Sequence, residues 1–139
     1  MYIPRTLEQT ITADLFKQKA MILYGPRQSG KTTLVNRVVE TAGQPSIFLN
    51  GDDRRDQEIL SHLDSSSAWN HLIGNNRIIL IDEAQKIDGI GLKTKLVVDA
   101  HKDVQIILTG SSSFELGNRA NEPLTGRTYV YTLLPFSFQ

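Results

Sequence analysis

Residues 25–32 read Gly25-Pro26-Arg27-Gln28-Ser29-Gly30-Lys31-Thr32, a G-x-x-x-x-G-K-T run set directly behind the apolar stretch Ala20-Met21-Ile22-Leu23-Tyr24 and ahead of a helical pattern. No other feature limits the architecture as much. Strand, glycine-bounded turn and helix in that order form a cradle, because glycines let the backbone curl until successive N–H groups face one point. The helix N-terminus adds its partial positive charge there. The guest expected of such a cradle is a chain of phosphates: Lys31 would reach the β- and γ-phosphates and the Thr32 hydroxyl would ligate Mg²⁺. At average residue usage the run arises by accident in about one in a few hundred chains of this length, and the flanking strand and helix make accident rarer. Pro26, Arg27, Gln28, Ser29 and Thr33 complete the candidate nucleotide-binding set. Arg27 occupies a variable position that need supply only its backbone N–H, so its side chain is expected to face solvent or a partner.

With 139 residues, 40% hydrophobic and 22% charged, the chain suits one α/β domain with a single three-layer core, residues 1–19 forming a lead-in. The absence of cysteine excludes a disulfide framework and thiolate metal sites, in keeping with a reducing cytosol. Fifteen basic residues balance fifteen acidic ones, so no global field favours nucleic acid. No apolar stretch approaches the roughly 18 residues of a membrane span, and Met1-Tyr2-Ile3-Pro4-Arg5 opens no signal-peptide core. A cytoplasmic protein without a membrane partner is expected.

Along the chain, Thr6 starts a helix carrying Leu7, Ile11, Leu15 and Phe16 on one face. The helix after Gly30 places Leu34, Val35, Val38 and Val39 together and stops at Gly43. Ser46 to Asn50 is a short strand that Gly51-Asp52-Asp53 ends, and weak helices follow around 56–63 and 68–73, the second closing at Gly74. Ile78-Ile79-Leu80-Ile81 is a continuous apolar run of the kind a strand buried on both faces shows. After the Asp88-Gly89 turn, Leu92, Leu96, Val97 and Ala100 recur at helical spacing. Val104 to Thr109 is another buried strand, Phe114-Glu115-Leu116 a short helical piece and Thr128 to Leu133 the last strand. Five strands alternating with helices predict a parallel sheet covered on both faces, with right-handed crossovers.

Asp82 and Glu83 end the third strand, about fifty residues after the glycine-bounded loop. In a parallel sheet that puts them at the carboxyl edge, where ligands of open α/β sheets sit. Asp82 is a candidate to hold Mg²⁺ through water, since Mg²⁺ keeps much of its hydration shell. A second carboxylate directly after it, Glu83, suits the polarising of a water for attack on phosphorus. Both acids could also simply begin the next loop near a helix's positive end. Thr109, Ser111 and Ser112 close the fourth strand. If that strand inserts between the first and third, one of these hydroxyls, Ser111 foremost, reaches the γ-phosphate or the attacking water; a helix N-cap explains one serine equally well. Arg127, just before the last strand, either offsets transition-state charge or pairs with a surface carboxylate. His62, His71 and His101 lack metal-ligand spacing, Trp69 suits packing, and Asp52 and Asp53 suit an acidic turn.

With these segments in place, the chain resembles the AAA-type ATPase domain of a large set of prokaryotic ATP-binding proteins, the AAA_14 group. The resemblance runs through Tyr2-Ile3-Pro4-Arg5, Gly25 to Thr33, Ile81-Asp82-Glu83-Ala84-Gln85, Leu108-Thr109-Gly110-Ser111-Ser112, Gly126-Arg127 and Leu134-Pro135-Phe136-Ser137-Phe138. Ala84 stands where the group more often has Ile, a change expected to be neutral. The resemblance implies a five-stranded P-loop NTPase sheet in the order 5-1-4-3-2 and ATP with Mg²⁺. It also puts Lys31 and Thr32 on the phosphates, Asp82 on the metal and Glu83 in hydrolysis. Similar proteins continue past the Pro-x-Ser-Phe segment into a C-terminal domain, so an excised or truncated ATPase portion lacking its lid and effector domain is expected.

The expected activity is Mg²⁺-dependent ATP hydrolysis, with catalytic candidates Lys31, Glu83, Ser111 and Arg127. Two alternatives stand beside it. One is a small-molecule kinase, which would want an arginine-rich lid where the chain offers Arg119 and Arg127. The other is a nucleotide-gated interaction module with negligible turnover. Self-association or a separate effector domain are the partners such a module implies.

Overall fold

Side chains alternate across a strand, so a run with no polar position must be covered on both faces. The computed structural model describes residues 5–26, 30–111, 124 and 126–133. In it the chain runs α1 (Arg5–Ala13), β1 (Ala20–Tyr24), α2 (Lys31–Ala42), β2 (Ser46–Asn50), α3 (Arg54–Ser61), α4 (Ser66–Ile73) and β3 (Ile78–Asp82). A single 3-10 turn (Ala84–Lys86), α5 (Ile90–Ala100), β4 (Gln105–Gly110) and β5 (Thr128–Thr132) follow. Arg27, Gln28, Ser29, the helical piece expected at 114–116, Arg119 and the Pro-x-Ser-Phe segment lie outside the described residues.

All five strands pair in parallel, in the order β2-β3-β4-β1-β5. Counted from the other edge, this is the expected 5-1-4-3-2. The central strands β1, β3 and β4 are buried at every residue, whereas the edges β2 and β5 expose Phe48 and Val130. On one face Ile22, Ile79, Ile81, Ile106 and Leu108 pack with Leu60, Trp69, Ile73, Ile90 and Val97 from α3, α4 and α5. On the other, Met21, Leu23, Ile78, Leu80 and Ile107 pack with Ile11, Leu34, Val35 and Val38 from α1 and α2. Neighbouring residues of one strand thus serve opposite layers, each buried aliphatic side chain being worth about 1.5–3 kcal/mol.

Local chemistry sets the helix ends. Gly43 stops α2 at φ 67, the left-handed conformation that glycine adopts cheaply. The Asp53 carboxylate accepts from the N–H groups of Arg55 and Asp56, so the residue expected in an acidic turn is the N-cap of α3. Ser65 caps α4 in the same way. Among the described residues no helix is long and apolar enough to cross a membrane.

β5 is fastened at both ends. The Ala20 N–H donates to the Arg127 carbonyl at 2.8 Å, and the Leu133 N–H donates to the Tyr24 carbonyl at 2.7 Å. The Tyr131 hydroxyl donates to Asp14 Oδ2 at 2.6 Å, tying the turn after α1 to this edge strand. That hydrogen bond holds the Asp14 carboxyl below its ordinary value, against a smaller opposing effect of burial and with help from Lys17. A carboxyl depressed in the folded state stabilises above its unfolded pKa, about 4, and that stabilisation is lost as pH falls through the lower folded value. Tyr131→Phe should therefore flatten the acid side of the stability curve, measured as melting temperature between about pH 2 and pH 6.

Candidate functional site

Three parallel strands, β1, β4 and β3, end side by side at one edge. β1 leads into Gly25, whose N–H donates to the Gly110 carbonyl at 3.1 Å, so the loop leaves the sheet still stitched to the end of β4. Gly30 reopens the chain on the far side of the loop at φ 92, and its carbonyl accepts the first helical hydrogen bond, from Leu34 N at 2.8 Å. No side chain at Gly30 caps the first N–H groups of α2. Those donors and the helix's positive end face the loop's side, a setting suited to an anion.

Lys31, the first residue of α2, is buried, with Nζ 3.2 Å from Glu83 Oε2; the two side chains are only 5% and 9% exposed. A buried charge is tolerated only when paired and hydrogen-bonded. Thr32, half-buried, donates its hydroxyl to both oxygens of Asp82, at 3.3 and 3.2 Å. Thr33 is exposed. The Thr109 hydroxyl at the end of β4 donates to Asp82 Oδ1 and accepts from the Glu83 N–H at 3.2 Å, so one buried oxygen bridges both acidic residues.

Glu83 has φ 51 and ψ 48, a left-handed conformation that costs a residue with a Cβ about 1–2 kcal/mol. It turns the chain out of β3 and leaves the carboxylate pointing at β4 and α2. Ser111 Oγ donates to Oε1 at 2.5 Å and Gln85 Nε2 donates to the same oxygen at 2.7 Å. Burial alone would push this carboxyl up; the hydrogen bonds from Ser111, Gln85 and Lys31, with the charge of Lys31, outweigh it and hold the group below its ordinary value. Glu83 is thus kept ionised while nearly dry. Gln85 is itself buried, and its Oε1 has no hydrogen-bond partner among the described residues, a loss of about 1–3 kcal/mol for an unsatisfied acceptor.

Gly51 closes the site from the side of β2. Its N–H donates to the Asp82 carbonyl at 2.7 Å, and a Cβ built on it would stand 2.2 Å from the Glu83 carbonyl oxygen. Sequence reasoning reads Gly51 only as a turn residue; what requires glycine is the close approach of two backbones.

Of the expected site residues, the structure brings together Gly30, Lys31, Thr32, Asp82, Glu83, Thr109 and Ser111. The two hydroxyls lie on the two carboxylates, Thr109 on Asp82 and Ser111 on Glu83. Ser112 lies outside the described residues. Arg127 is not part of the group. It sits beside Ala20 at the amino end of β1, roughly 13 Å from the carboxyl edge at ~3.3 Å per residue, and its Nε donates to Asp99 Oδ1 at 2.8 Å. A parallel pairing of β5 with β1 dictates this, because the residue before β5 must lie where β1 begins.

The AAA_14 family profile, described as an AAA domain, matches residues 17–139. The chain belongs to that family of AAA domains. It is 28% identical over 104 residues to a replication factor C large subunit of Methanococcus vannielii, covering 71% of this chain and 21% of that protein. It is 32% identical over 120 residues to an uncharacterised protein of Mycobacterium tuberculosis, covering 86% of this chain and 26% of that protein. The AAA domain thus spans a fifth to a quarter of the length of these relatives. Among solved structures, a Walker-type ATPase of Pyrococcus abyssi superposes with a TM-score of 0.65 at 18% identity, covering 100% of this chain and 55% of that one. A DNA replication initiation factor superposes with a TM-score of 0.60 at 17% identity, covering 96% and 47%. At those identities the likeness is one of fold, and the fold is that of P-loop ATPases. Family and fold make this AAA domain a nucleotide-binding domain of the ATPase class.

The packing at Gly51 yields a direct test. Gly51→Ala must push the Glu83 carbonyl away, and overpacking of this kind costs about 1–3 kcal/mol; chemical denaturation should show that loss.

Proposed function

We propose that this AAA domain binds ATP at its carboxyl edge and hydrolyses it with Mg²⁺, as the nucleotide-driven core of a larger protein. The observation that carries the reading is the meeting of Lys31, Thr32, Asp82 and Glu83, drawn from two elements fifty residues apart, within hydrogen-bonding reach of one another.

The donor set suits Mg²⁺: one hydroxyl, Thr32, and one carboxylate, Asp82, both oxygen and already in contact, for an ion that takes few protein ligands and keeps its waters. When bound, the ion would neutralise charge on the phosphate oxygens. The residues of the chain would do the remaining work. Gly25 to Thr33 would cradle the phosphates through backbone N–H groups, with the α2 dipole behind them. Lys31 would exchange its carboxylate partner for phosphate oxygens. Glu83 would accept a proton from a water as that water's oxygen forms a bond to the γ-phosphorus. The bond from that phosphorus to the bridging oxygen breaks, and the electron pair leaves on ADP. Thr109 would hold Asp82 and the Glu83 backbone in mutual register throughout. Catalysis of this type is mostly positioning and electrostatics.

Relatives named as replication factor C large subunits support a role as one engine within a larger assembly. A role of the domain in DNA transactions is the use of ATP that these names favour. Arg127, at the opposite end of β1, would act in a neighbouring subunit or not in chemistry at all.

The reading is tested by equilibrium binding of Mg²⁺–ATP and by phosphate release. Lys31→Ala should lose binding. Glu83→Gln should bind ATP and lower phosphate release at least about a hundredfold, the range for removal of a general base. Arg127→Ala should leave binding and release by the isolated chain unchanged. Hydrolysis by Glu83→Gln at the wild-type rate would remove Glu83 from the chemistry, and micromolar binding without release by the wild type would favour a nucleotide-gated module.

A further inference from the structure

The two oxygens of the Glu83 carboxylate keep different company. Oε1 accepts from Gln85 Nε2 at 2.7 Å and from Ser111 Oγ at 2.5 Å. Oε2 faces Lys31 Nζ at 3.2 Å. Gln85 stands on the 3-10 turn immediately after Glu83, and both residues are buried. Only the NH₂ end of a glutamine can face an ionised carboxylate, so this contact fixes which way the amide points. It leaves Gln85 Oε1 buried and unpartnered among the described residues. A methionine would fill nearly the same volume without an orphaned acceptor. Packing therefore gives no reason for a glutamine at position 85, whereas the bond to Glu83 does.

We infer that Gln85 is a positioning residue for Glu83, anchoring Oε1 together with Ser111 so that Oε2 is the oxygen presented to the attacking water. This rests on the reading of Glu83 as the water-activating carboxylate. The division of labour follows from the contacts. Polyphosphate oxygens offer the Lys31 ammonium more negative charge than a single carboxylate does, so ATP draws Lys31 away from Oε2. Oε1 stays clamped by its two donors, Gln85 and Ser111. Oε2 then takes the proton of the water whose oxygen bonds to the γ-phosphorus, and the departing electron pair goes to ADP. Without the clamp, the carboxylate turns about its terminal torsion, which is broad and weakly restrained. A misplacement of about 1 Å is enough to cost a reacting pair two orders of magnitude.

The test is Gln85→Met, which keeps length and volume and cannot donate. The expected result is a kcat lowered about ten- to hundredfold, part of the 10²–10⁴ that a general base contributes. KM and the affinity for a fluorescent ATP analogue should stay within about twofold, and the melting temperature should stay close to wild type, because the lost hydrogen bond to the carboxylate and the removed unsatisfied acceptor are of similar size and opposite sign. In a Glu83→Gln background the same substitution should leave the residual rate as it is, since a residue that acts through Glu83 then has nothing to position. A wild-type kcat in Gln85→Met beside an inactive Glu83→Gln overturns the proposal and leaves the ATPase reading standing. A fall in melting temperature and in nucleotide affinity together also overturns it, by showing a structural role. If Glu83→Gln hydrolyses normally, or the wild type releases no phosphate, the ATPase reading is what fails. The anchor itself is then decided by nuclear magnetic resonance of the Gln85 side-chain amide: its proton should shift on Glu83→Ala, and an unmoved resonance refutes the bond.

Discussion

The insertion of β4 between β1 and β3 is the constraint on which everything at the carboxyl edge depends. Were β1 and β3 neighbours, Lys31 and Glu83 would crowd, and no third strand could bring hydroxyls between them. With β4 inserted, Thr109 lies between the loop strand and the acidic strand and bonds to both acidic residues. Ser111 then continues outward to Glu83. The spacing of two strands, about 9–10 Å at 4.7–4.9 Å per strand, is bridged by a buried lysine from α2 and by a glutamate turned out of its strand by a left-handed backbone. The sheet supplies rigidity that a loop alone could not, since each strand end is held by its neighbours' hydrogen bonds.

Most of this fold was legible in the sequence because the signals were of the strongest kind. Strongly apolar runs such as Met21 to Leu23, Ile78 to Ile81 and Ile106 to Leu108 point to interior strands, and Gly43 and Gly74 mark the helix ends where they were expected. The strand order came from the resemblance to a known family, since neighbourhood in a sheet leaves no trace in one sequence. Weaker signals cost accuracy. Asp53 looked like a turn residue because its neighbours Asp52 and Gly51 are turn formers, whereas its carboxylate accepts two helix N–H groups and starts α3.

Part of the site was legible and part was not. Lys31, Thr32, Asp82 and Glu83 belong to patterns whose chemistry demands them at fixed spacing. Gln85 entered only as the last residue of the Ile81-Asp82-Glu83-Ala84-Gln85 segment and Gly51 only as a turn residue, because what matters about Gln85 is one hydrogen bond two residues back along the chain, and what matters about Gly51 is a methyl group it lacks. The serine and threonine at the end of the fourth strand were recognised as site candidates; that they lie on Asp82 and Glu83 depends on strand neighbourhood, which a single sequence does not reveal. Arg127 was read from its place before the last strand as offsetting transition-state charge or pairing with a surface carboxylate, and it pairs with Asp99. Its register beside Ala20 sends it to the far end of the sheet, a fact that only strand pairing reveals.

The attachment of β5 to β1 carries a mechanical meaning. Leu133 donates to the carbonyl of Tyr24, the residue directly before the loop, so the outgoing chain and the start of the phosphate cradle share one peptide-to-peptide link. Force or rotation applied to the polypeptide at position 133 reaches Gly25 without crossing a helix, a side chain or a flexible joint. A displacement of the loop has the same short path outward, from Tyr24 to the end of β5.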